Sequence, residues 1–484
     1  MDPAASPAEK VRRVNRRKGI GDMTFKQDGG LSRRRFLGVA AASVGAIGAG
    51  GMGTSRTLAA GPKTVVRNPL RLPPTLSPAG LSLSAAPGVA DLGGGRLSNV
   101  LAYNGYFPGP TLRASRGTGA SIAFSNGLSE ETTIHWHGMI VPPLADGHPQ
   151  QSVMPGGSYL YQFAIAQRAC LNWYHPHPDG LTGKQVNLGL AGAFIVNDSE
   201  EAALALPAGA YELPLIMRDA KLDSRGNLSY KAGNSGFDGS LALVNGTRDA
   251  KLDVDGALYR LRLLNGANAR VFRLALANGA PFALIGNDGG LLASPAQTAE
   301  IEFSPGERLD VLVDFRGLTS GTRVMLRDLN SGWDLLEFVI TRAVDPGYQP
   351  PTGALSTIAR LANPVRTRTF SFDGMSRING QEFDMNRIDF QVPFGQTERW
   401  VFSTGGNAPH PVHIHGASFQ VQSRTGGRGR LFPWEGGWKD TVLLQDGETV
   451  EILIRFDAFS GLYLMHCHKL EHEDMGMMTN FEVV

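Results

Sequence analysis

The histidines are the feature of this chain that most restricts how it can fold. Ten of the eleven lie in four short clusters, two in the first half of the chain and two near its end. Each cluster contains a His-x-His pair, and in an extended strand residues i and i+2 project to the same side. Two imidazoles on one side of a strand are placed to bind the same metal ion or adjacent ions. The clusters are His135-Trp136-His137, His175-Pro176-His177, His410-Pro411-Val412-His413-Ile414-His415, and His466-Cys467-His468 followed by His472.

The rest of the chain has the composition and rhythm of a β protein. It contains 61 glycines and 29 prolines, and from about residue 65 short alternating runs are broken by Gly, Pro, Asn and Asp. Such runs predict half-buried strands, and regularly spaced strands with turn signals favour β-sandwiches. Clear examples are Ser121-Ile122-Ala123-Phe124, Tyr159-Leu160-Tyr161-Gln162-Phe163, Arg260-Leu261-Arg262-Leu263-Leu264 and Val450-Glu451-Ile452-Leu453-Ile454.

Compositional breaks divide the mature chain into three parts, and 484 residues suffice for about three domains with cores of their own. We predict an all-β protein with three consecutive sandwich domains at 61–204, 205–342 and 365–484. A Pro-rich linker is expected at 343–364. The middle segment contains no histidine, so the first and third domains are each expected to supply half of the metal-binding clusters.

Residues 1–60 predict an export signal. Ser32-Arg33-Arg34-Arg35-Phe36-Leu37 precedes an apolar stretch rich in Ala and Gly, and small residues follow it. The paired arginines indicate the twin-arginine export machinery, which carries folded proteins. We therefore expect a periplasmic or extracellular protein with no stable membrane span after cleavage. An uncleaved membrane anchor is the alternative, and the weakly apolar composition of the stretch argues against it.

The basic residues of this export signal hide the net negative charge of the rest of the chain, residues 61–484. Residues 1–60 contain eleven basic and four acidic side chains, which leaves 35 basic and 40 acidic side chains in the remainder. A weakly acidic body gives no reason to expect nucleic acid as a partner.

The residue types in the last cluster indicate copper. Cys467, His472 and Met477 follow one another at steps of five, and His410 is the natural second imidazole from a separate strand. A thiolate, two imidazoles and a long axial thioether form a blue-copper electron-transfer site. Zinc is the alternative, but a structural zinc site takes four ligands, and ten histidines would overfill one or two such sites.

The same cluster predicts an electron path. If the backbone is extended there, His466 and His468 point opposite to Cys467. The thiolate would then bind one copper while its two neighbours bind coppers on the other side, a few covalent bonds away. Only one other cysteine is present, Cys170, and we expect it to be a buried free thiol.

The four motifs resemble those of the multicopper oxidases, in particular the bacterial three-domain laccases and periplasmic cuprous oxidases. They are H-W-H-G, H-P-H, H-P-x-H-I-H-G and H-C-H-x3-H-x4-M, in the order found in that family. The resemblance covers residues 65–484 and implies cupredoxin-like Greek-key domains. Further matching text is Gly380-Gln381, Phe383-Asp384-Met385-Asn386, Glu398-Arg399-Trp400, Gly437-Trp438-Lys439-Asp440-Thr441-Val442 and Glu471-His472-Glu473-Asp474.

The resemblance also implies a ligand at every position of a blue, type 1 copper and a three-copper cluster. Type 1 copper would take His410, Cys467, His472 and Met477. Type 2 copper would take His135 and His413, and the type 3 pair would take His137, His175, His177, His415, His466 and His468.

Two carboxylates match acids that the family places near its cluster. Asp146 resembles the acid near type 2 copper, and Glu473 resembles the acid that helps deliver protons to oxygen. Reduction of dioxygen to water consumes protons as well as electrons, so buried proton donors are a physical need. Ordinary solvated loop carboxylates are the alternative interpretation.

These features predict an oxidase that takes single electrons from a small-molecule or metal-ion donor and delivers them to dioxygen. The family's cuprous oxidases place an Asp and a Met just before the His-Pro-x-His motif, where this chain has Gly405-Gly406-Asn407-Ala408-Pro409. Cu(I) prefers soft thioether ligands. We therefore expect phenols and aromatic amines as donors, reacting at the imidazole edge of His472 or His410.

Three other functions fit parts of the pattern. A periplasmic metallo-oxidase acting on Cu(I) or Fe(II) belongs to the same class. A non-catalytic copper-binding or assembly protein belongs to another, although storage needs no electron path such as His466-Cys467-His468. A copper nitrite reductase needs fewer histidines and typically two domains.

Outside the clusters, His148 is expected to be a polar loop residue, and Arg424 to Arg430 a flexible loop near the substrate face.

Overall fold

The structure is a computed structural model that describes residues 65–233, 235–344, 346–407 and 409–484. The predicted export signal, residues 1–60, lies outside the described residues. Within them strands predominate, and the longest helix has seven residues. None of the helices in these four ranges is long and apolar enough to cross a membrane.

The first part of the described chain forms two four-stranded sheets, β2-β5-β9-β8 and β4-β3-β6-β7. Between them lies a core that includes Leu83, Ile122, Trp136 and Phe194. The strands are β1 (Asn68–Pro69), β2 (Thr75–Leu76), β3 (Ala79–Asp91), β4 (Leu97–Tyr103), β5 (Thr111–Ser115), β6 (Gly119–Asn126), β7 (Ser158–Ala164), β8 (Cys170–Tyr174) and β9 (Gly192–Asn197). The helices are α1 (Thr182–Leu188) and α2 (Ser199–Ala202), with 3-10 turns at Pro143–Ala145 and Pro149–Gln151.

The middle part forms two six-stranded sheets, β1-β12-β20-β19-β14-β17 and β11-β10-β13-β18-β15-β16. The strands are β10 (Glu212–Ala220), β11 (Leu241–Val244), β12 (Ala250–Asp255), β13 (Leu258–Asn265), β14 (Phe272–Leu276), β15 (Phe282–Asn287), β16 (Gly290–Thr298), β17 (Ile301–Phe303), β18 (Arg308–Asp314), β19 (Arg323–Asp328) and β20 (Trp333–Arg342), after a 3-10 turn at Gly209–Tyr211.

The last part forms two five-stranded sheets, β22-β21-β24-β28-β26 and β23-β30-β29-β25-β27. The strands are β21 (Arg366–Asp373), β22 (Arg377–Ile378), β23 (Phe390–Val392), β24 (Thr397–Thr404), β25 (His410–Ile414), β26 (Phe419–Gly426), β27 (Thr441–Leu444), β28 (Glu448–Arg455), β29 (Gly461–Cys467) and β30 (Met478–Val483). Helix α3 (Leu470–Asp474) and a 3-10 turn at Pro433–Glu435 complete it.

The predicted fold class is confirmed: the chain is all-β and built of paired sheets. Apart from the short β1, each pair of sheets lies within one of the predicted segments. We retain 61–204, 205–342 and 365–484 as proposed domain limits. The linker at 343–364 contains no strand or helix in its described residues, yet it is firmly attached. Leu355 N–H donates to Ala293 O at 2.9 Å, Leu361 N–H donates to Gln420 Oε1 at 2.9 Å, and Ser356 Oγ donates to Glu200 Oε1 at 2.6 Å.

All four example strands form, but one expectation about them is wrong. Residues 260–264 lie in β13, which is buried on both faces. The alternation of Arg with Leu predicts a solvated face, whereas Arg260 and Arg262 are both buried and reach Glu201 Oε1 at 2.6 and 2.5 Å. Their charges are matched by acids from neighbouring segments, and the periodicity of a single strand cannot show such partners.

The expected flexible loop at Arg424 to Arg430 is wrong for its first three residues, which lie in a strand, whereas residues 427–430 form a turn. Arg424 lies in β26, is buried, and donates to Glu448 Oε2 at 2.6 Å and Leu443 O at 2.8 Å. Arg428 donates to Glu302 Oε1 of the middle segment at 2.8 Å. A composition typical of exposed loops here serves to join strands of two segments.

The buried ion pairs of β13 predict a sharp contrast in stability. Arg262→Ala removes one of the two arginines at each of the buried acids Glu201 and Glu212 and leaves one buried negative charge uncompensated, so we expect the free energy of unfolding to fall by about 3–5 kcal/mol. Arg273→Ala removes a pair with Glu300 that is nearly half exposed, and we expect a loss below about 1 kcal/mol. Urea unfolding followed by tryptophan fluorescence measures both. Equal losses would contradict the buried role of Arg262.

Candidate metal centre

Three side chains from separate elements meet in a buried group, named here the Cys467 group. It consists of Cys467 at the end of β29, His410 at the start of β25 and His472 on α3. Cys467 Sγ lies 3.5 Å from His410 Nδ1 and 3.8 Å from His472 Nδ1, and the two Nδ1 atoms are 3.3 Å apart. Three donor atoms this close can share one ion.

Met477, the predicted axial ligand, is placed next to this group by the backbone. Helix α3 is a single short turn after β29, and the chain then returns into β30. Cys467 N–H donates to Met477 O at 3.0 Å, and Met477 N–H donates to His472 O at 2.9 Å. The Met477 side chain is fully buried in the same hydrophobic cluster as Cys467.

Burial sets the charge of these donors. It lowers the pKa of His410 to about 4 and that of His472 to about 2, so both imidazoles are neutral near pH 7, as metal ligands must be. Burial raises the pKa of the Cys467 thiol to about 12. A bound cation would counter that effect, because a coordinating thiol is deprotonated outright.

The other eight histidines of the motifs form a second buried set, named here the eight-histidine set. It contains three groups of three histidines, two of which share His137, and within each group the donor atoms lie within 4.8 Å of one another. Two close pairs join the first segment to the last: His135 Nε2 to His413 Nε2 at 3.3 Å, and His177 Nε2 to His466 Nε2 at 3.3 Å. The groups are His135, His137 and His413; His137, His175 and His468; and His177, His415 and His466.

Hydrogen bonds to carbonyl oxygens fix the orientation and the tautomer of three of these imidazole rings. His135 Nδ1–H donates to Asp146 O at 2.8 Å, His413 Nδ1–H to Asp440 O at 2.9 Å, and His175 Nδ1–H to Pro176 O at 2.8 Å. Because a carbonyl can only accept, the proton resides on Nδ1. The lone pair on Nε2 is then free to bind a metal.

The eight-histidine set has the unsatisfied donor atoms that a metal would require. Within the described residues, both ring nitrogens of His468 and Nε2 of His175 are buried without a hydrogen-bond partner. A buried polar atom left unpaired costs about 1–3 kcal/mol. Burial also lowers the pKa of both imidazoles well below its usual range. Neutral, unpartnered nitrogens converging on one place fit metal ions.

The tripeptide His466-Cys467-His468 joins the two sites. Cys467 belongs to the Cys467 group, while its neighbours on either side belong to two different groups of the eight-histidine set. β29 is extended through Cys467, so successive side chains face opposite sides.

Both predicted acids are buried beside the eight-histidine set. Asp146 Oδ2 accepts from His415 Nδ1 at 2.7 Å, while its carbonyl accepts from His135. Gly147 permits this approach: its φ is +81°, and a Cβ there would lie 2.1 Å from Ile134 O. Glu473 Oε2 lies 3.1 Å from His466 Nδ1, and burial raises the pKa of that carboxyl group.

Three other residues complete the description. His148 is buried in a loop outside these groups, 2.9 Å from Asn480 Oδ1. Cys170 is a buried free thiol whose pKa burial raises to about 11. Asp440, to which sequence reasoning gave no role, binds His413 through its carbonyl. The sequence signal for such a role was the position of Asp440 within Gly437–Val442, a run that matches the multicopper oxidases.

Comparisons with known proteins point to one family. Two family models, each described as "Multicopper oxidase", match residues 352–484 and 86–201. A third, described as "Ubiquitinol-cytochrome C reductase Fe-S subunit TAT signal", matches residues 23–53. The multicopper oxidase mco of Staphylococcus haemolyticus is 36% identical over 412 residues, which cover 83% of this chain and 88% of the relative.

The cell division protein FtsP of Dickeya dadantii is 33% identical over 479 residues, covering 93% of this chain and 98% of that protein. The crystal structure of the McoA multicopper oxidase from Aquifex aeolicus has a TM-score of 0.81 and 35% identity, covering 87% of this chain and all of that one. Further relatives are named laccase and bilirubin oxidase, and another solved structure is described as a metallo-oxidase.

Sheet pairs of the cupredoxin kind around a buried histidine and cysteine centre define a copper-dependent oxidoreductase. The chain belongs to the multicopper oxidase family, and its relatives named laccase and bilirubin oxidase identify it as an oxidoreductase.

The buried imidazoles make the stability of the metal-free protein depend on pH. Below pH 6.5 the unfolded chain binds protons that folded His410, with a pKa of about 4, does not bind, so stability is lost as the pH falls. From His410 alone we expect a loss on the order of 2–3 kcal/mol between pH 7.5 and 4.5. Urea unfolding in the presence of a chelator measures it. A free energy of unfolding that stays constant over this range would contradict the expectation.

Proposed function

We propose that the chain holds one type 1 copper at the Cys467 group and one type 2 and two type 3 coppers in the eight-histidine set. The single observation that supports this most is convergence: all ten motif histidines and Cys467 fall into four compact buried groups. The proposed ligands are His410, Cys467, His472 and Met477 for type 1; His135 and His413 for type 2; and His137, His175, His177, His415, His466 and His468 for the type 3 pair.

Bound copper would supply the one-electron chemistry that takes electrons from a donor and reduces dioxygen to water. The chain's own contribution is to separate and connect the two sites. Cys467 lies on the donor side, and the peptide bonds to His466 and His468 provide a covalent route to the oxygen side.

Two buried acids suit the proton demand of the reaction. Glu473 lies 3.1 Å from His466 Nδ1 and 3.5 Å from His177 Nε2, and its raised pKa favours a carboxyl group that holds a proton until it is needed. Asp146 holds His415 and His135 in orientation. We propose Glu473 as proton donor and Asp146 as the acid near type 2 copper.

We propose that dioxygen approaches the eight-histidine set through a neighbouring cavity. A cavity of about 240 Å³ is lined by Gly138 and Gly416, the residues that follow His137 and His415 in the chain. Cys170 and Trp438 also line it.

Organic donors such as phenols and aromatic amines are the proposed substrates. Gly405–Pro409 has neither the Asp nor the Met expected of a cuprous-ion pocket, although Ala408 lies outside the described residues. The imidazoles of His410 and His472 are both 0% exposed. The donor would therefore give up electrons across covering atoms rather than by binding to the rings, which suits outer-sphere transfer.

A metallo-oxidase acting on Cu(I) or Fe(II) is the second candidate. It is favoured by Met475, which is 39% exposed three residues after His472, because a thioether at the surface can attract soft cations. We propose export by the twin-arginine route to the periplasm or beyond, supported by the match at residues 23–53.

The thiolate of Cys467 would give bound copper a characteristic absorption band. The copper-loaded protein is expected to show an intense blue thiolate-to-copper band. Cys467→Ser should abolish the band, whereas Cys170→Ser should leave it unchanged because that thiol lies outside the groups. Absorption spectra with copper analysis measure this outcome. A wild-type protein that takes up copper without the band would refute the proposed type 1 site.

His468→Ala separates an oxidase from a non-catalytic copper protein. The change removes a ligand of the eight-histidine set and leaves the Cys467 group intact, so we expect a blue protein whose oxygen consumption falls at least about 100-fold. His148→Ala is the matched control, a buried histidine outside both sets. Oxygen uptake with a phenol, Cu(I) and Fe(II) in turn would show which donor is preferred, and faster uptake with metal ions would favour the metallo-oxidase.

A further inference from the structure

The middle segment supplies no histidine, yet its backbone reaches the eight-histidine set. The turn between β17 and β18 brings Gly306 against two imidazoles: a Cβ there would lie 3.0 Å from His137 Cε1 and 3.1 Å from His468 Cδ2. Its φ of +85° is one that glycine adopts without strain. Gly306 N–H donates to Asn265 O at 3.0 Å, which holds the turn in place.

Next to this turn, an acidic residue followed by a basic one faces a basic residue followed by an acidic one in the last segment. Glu307-Arg308 lies against Lys439-Asp440, with Lys439 Nζ 3.0 Å from Glu307 Oε1 and Arg308 Nη1 donating to Asp440 Oδ1 at 2.6 Å. Asp288 joins the pairs, because its carboxylate accepts from Arg308 N–H at 2.8 Å and lies 2.8 Å from Lys439 Nζ. None of these side chains is more than 3% exposed.

Arg308 also reaches the first segment, where its Nε donates to Leu171 O at 2.9 Å. The guanidinium of Arg308 therefore contacts all three segments of the chain next to the eight-histidine set. Its planar shape lets it hold a carboxylate with two parallel hydrogen bonds, and Asp440 receives both Nη atoms.

The carboxylate that Arg308 holds is in direct contact with the centre. Asp440 Oδ1 lies 3.2 Å from His137 Nε2, and Asp440 O accepts from His413 Nδ1 at 2.9 Å. A carboxylate beside Nε2 keeps the proton of His137 on that atom. Nδ1 of His137, which is buried without a hydrogen-bond partner among the described residues, is then the free donor.

We propose that Arg308 and Asp440 are positioning residues for the eight-histidine set: Arg308 of the middle segment locks Asp440, which fixes the tautomer of His137 and the orientation of His413. This inference rests on the proposed function, because it assigns these rings a metal to bind. The histidine-free segment thereby determines which nitrogen of His137 faces the metal.

The test compares copper affinity in the full chain carrying Asp440→Asn or Arg308→Lys. Both keep size, but Asn is a weaker acceptor and Lys lacks the two-pronged geometry. Glu448→Gln and Arg424→Lys are the matched controls, since that ion pair is equally buried and contacts no histidine of the set. Chelator competition measures copper affinity, electron paramagnetic resonance measures the type 2 signal, and absorption measures the blue band.

For Asp440→Asn we expect copper to bind 10- to 100-fold more weakly at the eight-histidine set, with an unchanged blue band. The type 2 signal should persist, because Asn retains the main-chain carbonyl that accepts from His413. Arg308→Lys should have a smaller effect in the same direction, and the controls none. The proposal is overturned if Asp440→Asn keeps wild-type affinity, or if Glu448→Gln loses as much.

Removal of one partner of a buried pair can prevent folding, so a double variant, Arg308→Met with Asp440→Leu, removes both charges together. It should fold and show the same weakened copper binding; wild-type affinity in it would also overturn the proposal. Wild-type protein is measured first. If it binds no copper at the eight-histidine set, the proposed function fails, and that result is distinct from any difference between variants.

Discussion

The antiparallel pairing of β25 with β29 is the interaction on which both sites depend. Its register sets Val412 opposite Cys467 and His413 opposite His466. Side chains alternate between the two faces of a strand, so a slip by one residue would turn every imidazole away from its partners. The pairing is secured on both sides, because β29 also pairs with β30 and β25 with β27.

Burial keeps these imidazoles neutral, as ligands must be, and it lowers the stability of the metal-free protein. Neutral imidazoles are good ligands, and the low pKa values of the histidines follow from their removal from water. The same burial leaves ring nitrogens of His468 and His175 without partners in the described structure. A metal ion that satisfies them would stabilise the folded state by binding it in preference to the unfolded chain.

Much of this arrangement could be predicted from the sequence, because it depends on local pattern. The four histidine clusters, the strands that carry them and the opposite facing of Cys467 and its neighbours all follow from a two-residue period. Pairings across long separations do not. Nothing local indicates that His135 lies beside His413, which only the family resemblance implies, or that the charged pairs 307–308 and 439–440 meet. The burial of Arg260 and Arg424 cannot be predicted from local pattern for the same reason: the acids that allow it lie elsewhere in the chain.

The separation of the ligands along the chain has a consequence for synthesis. His135 and His177 are made long before His413 and His466, which must lie within 3.3 Å of them. A growing chain thus carries only one or two members of each three-histidine group until the last strands leave the ribosome. Metal loading is therefore a late event, one that follows translation and depends on the C-terminal strands having folded.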